Sequence, residues 1–289
     1  MTDISSKDDR AEQAKDLAGR SKKQVRKRGS RNASNQQELT INKSQVDLVR
    51  LIRAEPKKAD ENPGHIVMSK VSKASQLVLS EDCLSVTGHK GFRTACATHG
   101  VPGLGTYFCE VKMCSLGASG HVRVGFCTKK AELQAPVGFD GFGYAFRDVD
   151  GSRVHQGRRE AYGTQFKEGD VVGMLIHLPE GGRPIEARER KVVRYKGSLF
   201  YEEEPEPTPV PLPGSFIKFF VNGVDQGQAY FDILEGTYYP AISIFTLPEQ
   251  REGATVSVNF GPSFTYGLPP QETGVKPFSS LTDAISIIE

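Results

Sequence analysis

The sequence predicts an all-β protein whose body is a two-sheet antiparallel β-sandwich, flanked by a disordered basic N-terminal tail and a short C-terminal amphipathic helix. Residues 66–266 contain many short strand-like segments separated by Gly, Asn and Pro turns. Sequence with helical periodicity is nearly absent from that region. Residues 1–40 are polar and short of aromatic side chains. We expect this tail to be disordered, because it buries too little apolar surface to offset chain entropy.

The strand-like segments differ in their expected burial. The near-continuous apolar run FKEGDVVGMLIHL indicates a central strand covered on both faces. The segment TYFCEVKM alternates, and Glu110 and Lys112 mark its polar face. Two hairpins are also predicted, one turning at Ser80–Asp82 and the other at Asn222-Gly223, the strongest short hairpin signal.

The N-terminal 65 residues divide into two parts. Within the tail, residues 1–40, a basic cluster is typical of a solvated tail, of a nuclear import signal, or of an arm that contacts the phosphates of DNA or a nucleosome. Residues 41–65 predict a short helix and a linker, because a capping box at Ser44–Asp47 precedes apolar residues at helical spacing. The basic cluster comprises Lys22, Lys23, Arg26, Lys27 and Arg28.

An acidic, proline-rich segment interrupts the strands at residues 200–214. Proline at alternate positions favours extended backbone and removes hydrogen-bond donors that a strand needs. We expect an exposed loop inserted between two strands.

The C-terminal residues 267–289 predict a linker followed by a helix that starts at a capping box, Ser280–Asp283. A helix this short is marginal alone, so its apolar stripe is expected to be buried against something. The residues leave two destinations open, the sandwich itself or another protein's groove. The stripe comprises Leu281, Ala284, Ile285 and Ile288.

Residues 121–147 have the composition of a binding surface. Arg123 alternates with valines, which places it on the open face of a half-buried strand. A glycine-rich loop carrying Pro136 and Phe139 follows. A cation beside apolar groups favours protein binding over catalysis.

The sequence offers no sign of an enzyme. It contains no phosphate-binding P-loop, no G-x-S-x-G elbow and no H-E-x-x-H helix, so we expect neither a cofactor nor a metal ion. Five scattered cysteines predict reduced thiols in an intracellular protein. No apolar run approaches a membrane span, and no membrane partner is expected.

Five ordered segments together resemble the SPRY domain family, and the resemblance covers residues 66–266. It implies a bent, two-sheet antiparallel sandwich whose loops form a protein-binding surface. The segments are HVRVGF, GDVVGMLIHL, FFVNGVDQGQAYFDI, YYPAISIF and VSVNFGP.

Within that superfamily, further segments are similar to the SPRY subunit of the Set-one/COMPASS methyltransferase complex, the ASH-two/Bre-two family. They are KGFRTACATHGV, LQAPVGFDGFGYAFR, GSRVHQG, VNFGPSFTY and the C-terminal SLTDAISIIE. The resemblance implies a non-catalytic nuclear scaffold that steadies a SET-domain subunit modifying lysine four of histone H3. It also implies that the C-terminal stripe enters the groove of a Dumpy-thirty-like dimer.

The same resemblance implies a site for an acidic segment of a WD-repeat subunit. Arg123, Pro136, Phe139 and Phe92 occupy the positions that line this site in the family. Animal members commonly carry tyrosines at Phe92 and Phe139, and a lysine near Val149 whose charge Arg147 or Arg153 is available to replace. A second reading is a SPRY substrate adaptor of a ubiquitin ligase, although no Cys/His-rich module precedes residue 66. A third reading, an enzyme or small-ligand binder, requires a polar pocket that the sequence does not indicate.

Overall fold

The computed structural model describes residues 64–101, 103–180, 192–195, 198–201, 208–270 and 272–281. Within them the chain forms strands joined by short turns and ends in a 3₁₀ turn, Phe278–Ser280. The strands are β1 (Met68–Lys73), β2 (Val78–Leu79), β3 (Ser85–Gly88), β4 (Arg93–Ala97), β5 (Gly105–Ser115), β6 (His121–Cys127), β7 (Gly143–Arg147), β8 (Ser152–His155), β9 (Arg158–Ala161), β10 (Val171–Leu178), β11 (Val192–Tyr195), β12 (Ser198–Tyr201), β13 (Phe216–Val221), β14 (Val224–Phe231), β15 (Tyr239–Phe245), β16 (Ala254–Asn259) and β17 (Val275–Pro277).

Two sheets form the sandwich, so the predicted fold class is confirmed. The first sheet has the order β1-β4-β15-β6-β7-β8-β9, and the second has the order β14-β13-β10-β5-β16-β3-β2. Their neighbouring strands are antiparallel, except that β17 joins β5 in parallel. The hairpin β11–β12 forms a separate two-stranded sheet.

The main core lies between the two sheets. From β6, Val122, Val124 and Phe126 point into it and are fully buried. From β10, Val172 and Met174 meet them from the second sheet. Each such side chain contributes about 1.5–3 kcal/mol through removal of apolar surface from water. Because side chains alternate along a strand, this burial turns Arg123 to the outer face of the first sheet.

Strand β10 is central, as its apolar run predicts. It pairs with β5 on one side and β13 on the other. Its second face carries Leu175, which packs with Phe108 and Phe220 in a smaller cluster. The predicted hairpin at Asn222-Gly223 is also confirmed, since both residues have positive φ (50° and 79°), as a type I′ turn requires.

The folded domain continues past residue 266, where the sequence placed its end. Strand β17 pairs with β5, and Phe278 is completely buried in the main core. Leu281, predicted to lie on a partner-binding stripe, is only 5% exposed and belongs to the same core. Residues 282–289 lie outside the described residues, as do residues 1–63. The N-terminal predictions and three of the four stripe residues, Ala284, Ile285 and Ile288, therefore cannot be placed.

The predicted acidic loop at residues 200–214 is described only at its two ends. Its start overlaps β12, and residues 202–207 lie outside the described residues. Past that gap the backbone is bonded to the sandwich: Leu212 N–H donates to Ile233 O (2.8 Å), and Glu235 N–H donates to Val210 O (2.9 Å).

Glu110 is buried, although its place in an alternating strand predicted a polar face. Only 2% of Glu110 is exposed. Its two carboxylate oxygens accept the backbone N–H groups of Thr265 (2.8 Å) and Tyr266 (3.3 Å). These bonds fasten the segment after β16 to the outer face of the second sheet, where Phe264 packs against Phe108 at 4.9 Å between ring centroids.

We expect Glu110→Leu to lower the free energy of unfolding by about 2–3 kcal/mol, because two backbone N–H groups lose their charged acceptor. Equilibrium urea unfolding measures this change. Glu252→Ala removes one carboxylate from an exposed position and should stay within about 0.5 kcal/mol of the unchanged protein. Equal effects of the two substitutions would show that the Glu110 bonds do not fasten the segment.

Candidate partner-binding site

The outer face of the first sheet carries Arg123. In the strand register, Arg123 lies between Ser243 of β15 and Arg147 of β7. The side chain is covered by its surroundings, and Arg123 is only 8% exposed. Arg123 therefore lies on the side of the strand that the alternation predicts, but it is far more buried than the predicted open face implies.

The Arg123 guanidinium is buried without a full set of hydrogen bonds. Its Nε has no hydrogen-bond partner, and its Cζ lies 5.1 Å from the centroid of the Phe92 ring. Burial, reinforced by the charges of Arg147 and Arg159, lowers the pKa of Arg123 to about 10. A guanidinium with a pKa near 10 remains charged at neutral pH, so the site holds a poorly solvated cation. Such a cation gains strongly from a carboxylate.

The nearest described carboxylates are engaged with other residues. Asp150 Oδ2 accepts a 2.7 Å bond from Arg147 Nη1. Although burial raises the pKa of Asp150, hydrogen bonds from Ser152 and the charge of Arg147 hold it below its usual value. Asp148 Oδ2 lies 3.0 Å from His121 Nδ1, and burial raises the pKa of Asp148. Arg147 therefore has a direct ion pair, whereas Arg123 has none among the described residues and receives only the charges of Asp148 and Asp150, which do not offset its burial.

A loop between β6 and β7 places Pro136 beside Arg123. Val137 N–H donates to Ser243 Oγ (2.7 Å), and Ser243 is the register neighbour of Arg123. Thr94 Oγ1 donates to Ala135 O (2.6 Å), which fixes the approach to Pro136. The loop then turns, with Phe139 N–H donating to Pro136 O (3.0 Å).

The predicted aromatic residues take different positions. Phe92 is partly buried, and its ring lies 5.0 Å from that of Phe245, centroid to centroid. Phe139 is 58% exposed, so it is not a core residue. Arg123, Phe92, Pro136 and Arg147 are thus brought together, and Phe139 lies one turn further along the loop. This arrangement of a guanidinium with apolar walls can hold an acidic chain that also carries apolar side chains.

Sequence reasoning missed two contributors to this face. Phe245 packs between Phe92 and His121, at 5.0 Å and 6.1 Å between ring centroids. Arg159, on the exposed edge strand β9, is one of the charges that lower the pKa of Arg123. Neither residue stands near Arg123 in the sequence, and only strand pairing brings them close.

The described residues outside this face carry thiols but no arrangement typical of a metal site. No group of three or more His, Cys, Asp or Glu side chains there has the arrangement of a metal site. All five cysteines are free thiols, and Cys96 and Cys127 are buried with 3.3 Å between their sulfur atoms. The described part of the chain includes no helix with the length and hydropathy of a membrane span.

Comparison with known proteins identifies the domain. Residues 106–182 match the family model described as SPRY domain. The chain carries a SPRY domain. A crystal structure of a human SPRY domain superposes with a TM-score of 0.44 at 17% sequence identity, covering 66% of this chain and 98% of that chain.

Among curated proteins, this chain is similar to proteins named as subunits of histone methyltransferase complexes. The Set1/Ash2 histone methyltransferase complex subunit ASH2 of Drosophila melanogaster is 38% identical over 213 residues, 71% of this chain and 37% of that protein. The subunit ash-2 of Caenorhabditis elegans is 36% identical over 210 residues, 66% of this chain and 35% of that protein. COMPASS component BRE2 of Saccharomyces cerevisiae is 44% identical over 62 residues, 20% of this chain and 12% of that protein. The chain thus spans little more than a third of the animal relatives.

Proposed function

We propose that this chain is a non-catalytic scaffold subunit of a nuclear complex that methylates lysine four of histone H3. The observation that carries the proposal is the buried, unpaired guanidinium of Arg123 beside Phe92 and Pro136. It is supported by similarity to proteins named as subunits of Set1/Ash2 and COMPASS complexes. Together with a WD-repeat subunit, the chain steadies the active conformation of a separate SET-domain subunit.

The ligand of the Arg123 site is an acidic segment of the WD-repeat subunit. A glutamate or aspartate of that segment supplies the counter-ion that the described residues do not give Arg123, through a charge-assisted hydrogen bond. Apolar side chains of the segment pack on Phe92, Pro136 and the exposed ring of Phe139. Phenylalanine at positions 92 and 139 provides apolar area without the hydroxyl groups of the animal relatives, so affinity depends more on charge and burial.

A second docking element is the segment after Leu281. Leu281 is buried in the domain core, so it anchors the start of the segment rather than facing a partner. Ala284, Ile285 and Ile288 remain as the apolar residues that enter the groove of a Dumpy-thirty-like dimer. At the other end of the chain, the basic cluster at residues 22–28 directs nuclear import or contacts DNA.

Titration of the full chain with a fluorescent peptide of alternating glutamates and leucines tests the acidic-segment site. We expect binding that weakens as salt is raised, because opposite charges attract at the site. The matched control replaces every glutamate of the peptide by glutamine and should bind at least ten-fold more weakly, since a charge-assisted bond is worth about 1.5–3 kcal/mol. Equal affinity for the two peptides would contradict an acidic ligand.

A further inference from the structure

The edge strand of the first sheet presents one arginine on the same face as Arg123. Arg123 pairs with Arg147 across β6 and β7, and two residues earlier on β7 Ala145 pairs with Val154 of β8. Val154 in turn pairs with Arg159 of β9. Since residues paired across a sheet, and residues two apart on one strand, point to one side, Arg159 lies on the outer face with Arg123.

The neighbouring Arg158 points to the opposite side. It pairs with His155, whose ring stacks on Tyr144 of the main core with 4.2 Å between centroids. Glu160, on that same side of β9, is bonded to Arg153. All four residues of β9 are exposed. Two adjacent, exposed arginines therefore differ chiefly in the face that they occupy.

We propose that the acidic segment held at Arg123 continues over β7 and β8 to Arg159, which binds a second carboxylate of the same segment. This inference rests on the proposed function and extends its site. Two observations connect the two arginines. The turn at Pro136–Phe139 lies over the sheet beside Val154. Gly157 N–H donates to Gly138 O (2.9 Å), and a Cβ atom at Gly138 would lie only 2.2 Å from Val154 O. Arg159 forms no ion pair with any described residue, so its charge is available.

Strand geometry sets the spacing of the two carboxylates. From β6 to β9 there are three steps of about 4.8 Å, and the register adds two residues of about 3.3 Å along the strands. The two arginine positions are therefore about 16 Å apart, a span that about five residues of an extended chain cover. The partner's acidic segment should thus carry two acidic clusters whose centres are about five residues apart.

The charges around this path favour a peptide over a nucleic acid. A duplex binds best to a surface on which cations neutralise successive phosphates. Here Asp150 forms an ion pair with Arg147 between the two arginines, so this face does not offer an unbroken series of free cations. A short acidic peptide needs only the two unpaired cations at its ends, Arg123 and Arg159.

Fluorescence anisotropy at low ionic strength tests the extension with two synthetic peptides. The first carries one triplet of glutamates followed by a Gly-Ser tail, and the second carries another glutamate triplet centred five residues after the first. We expect the full chain to bind the second peptide about three- to five-fold more tightly, the effect of one exposed charge pair. Arg159→Ala should abolish that preference, whereas Arg158→Ala, which removes the same charge from the other face, should preserve it.

The controls separate this inference from the proposed function. Loss of one-triplet binding in Arg123→Met, together with equal preferences in Arg158→Ala and Arg159→Ala, would overturn the extension alone. One-triplet binding that survives Arg123→Met would overturn the acidic site itself. If Arg159→Ala weakened binding of a 20-base-pair DNA duplex more than it weakened binding of the peptides, the extension would be overturned in favour of a nucleic-acid surface.

Discussion

Phe278→Ala is expected to lower the free energy of unfolding by about 3–5 kcal/mol, the usual cost of removing a buried phenyl ring. Phe278 is fully buried, and its ring lies 5.8 Å from that of Tyr107 and 6.0 Å from that of Phe126, centroid to centroid. It fixes the last described turn of the chain to both sheets, so its removal leaves a cavity at the end of the core. Urea unfolding followed by intrinsic tyrosine fluorescence measures the loss.

Phe231→Ala is the matched control, since it removes the same side chain from the edge strand β14, where Phe231 is 61% exposed. We expect it to change stability by less than about 1 kcal/mol. Similar losses in the two variants would contradict the placement of Phe278 in the core. The result also bears on truncation, because a chain that ends before Phe278 loses part of its core, whereas a chain that ends at Leu281 keeps it.

Arg123→Met is expected to stabilise the protein and to weaken its binding to acidic peptides at least ten-fold. Because folding lowers the Arg123 pKa from its ordinary value to about 10, the folded state disfavours the charge at every pH below 10. This cost is about 3 kcal/mol from the pKa difference and disappears only as pH rises above 10 toward the ordinary pKa of arginine. Methionine has similar length and no charge, so we expect a gain of about 1–3 kcal/mol at neutral pH.

Although the variant is expected to be more stable, its affinity for the glutamate–leucine peptide should fall at least ten-fold. The informative control is Arg147→Met, which leaves Asp150 without its ion pair and should not raise stability. A less stable Arg123→Met protein would show that Arg123 serves the fold rather than a partner. Urea unfolding of these samples measures the stability change, and peptide titration of the same samples measures the change in affinity.

The sequence predicts the strands well because their signals are local. The alternation around Arg123, the apolar run of β10 and the Asn222-Gly223 turn each depend on adjacent residues. The outer-face position of Arg123 follows from the same alternation. Pro136 and Phe92 were placed at the site by resemblance to a family, and the strand pairing and loop hydrogen bonds put them beside Arg123.

What the sequence did not reveal depends on contacts between distant parts of the chain. The local sequence predicts an exposed Glu110, but the segment carrying Thr265 and Tyr266 covers its carboxylate and donates two backbone hydrogen bonds to it. Phe245 reaches Phe92 only because β15 pairs with β4 and β6. Leu281 follows helical periodicity, which left open what buries it, and the family resemblance assigned it to a partner; the parallel pairing of β17 with β5 instead carries it into the core. Periodicity shows that a side chain is buried, but not what buries it.

The most direct test of the proposed function is capture from nuclear extract on the immobilised full chain, followed by an assay of methyl transfer to a histone H3 peptide. Three baits are compared: the unchanged chain, Arg123→Met, and a chain that ends at Leu281. We predict that the unchanged chain retains WD-repeat and SET-domain proteins with methyltransferase activity. Arg123→Met should lose them, and the shortened chain should lose only a small Dumpy-thirty-like protein. Recovery of cullin components without methyltransferase activity, or the same activity on all three baits, would contradict the account.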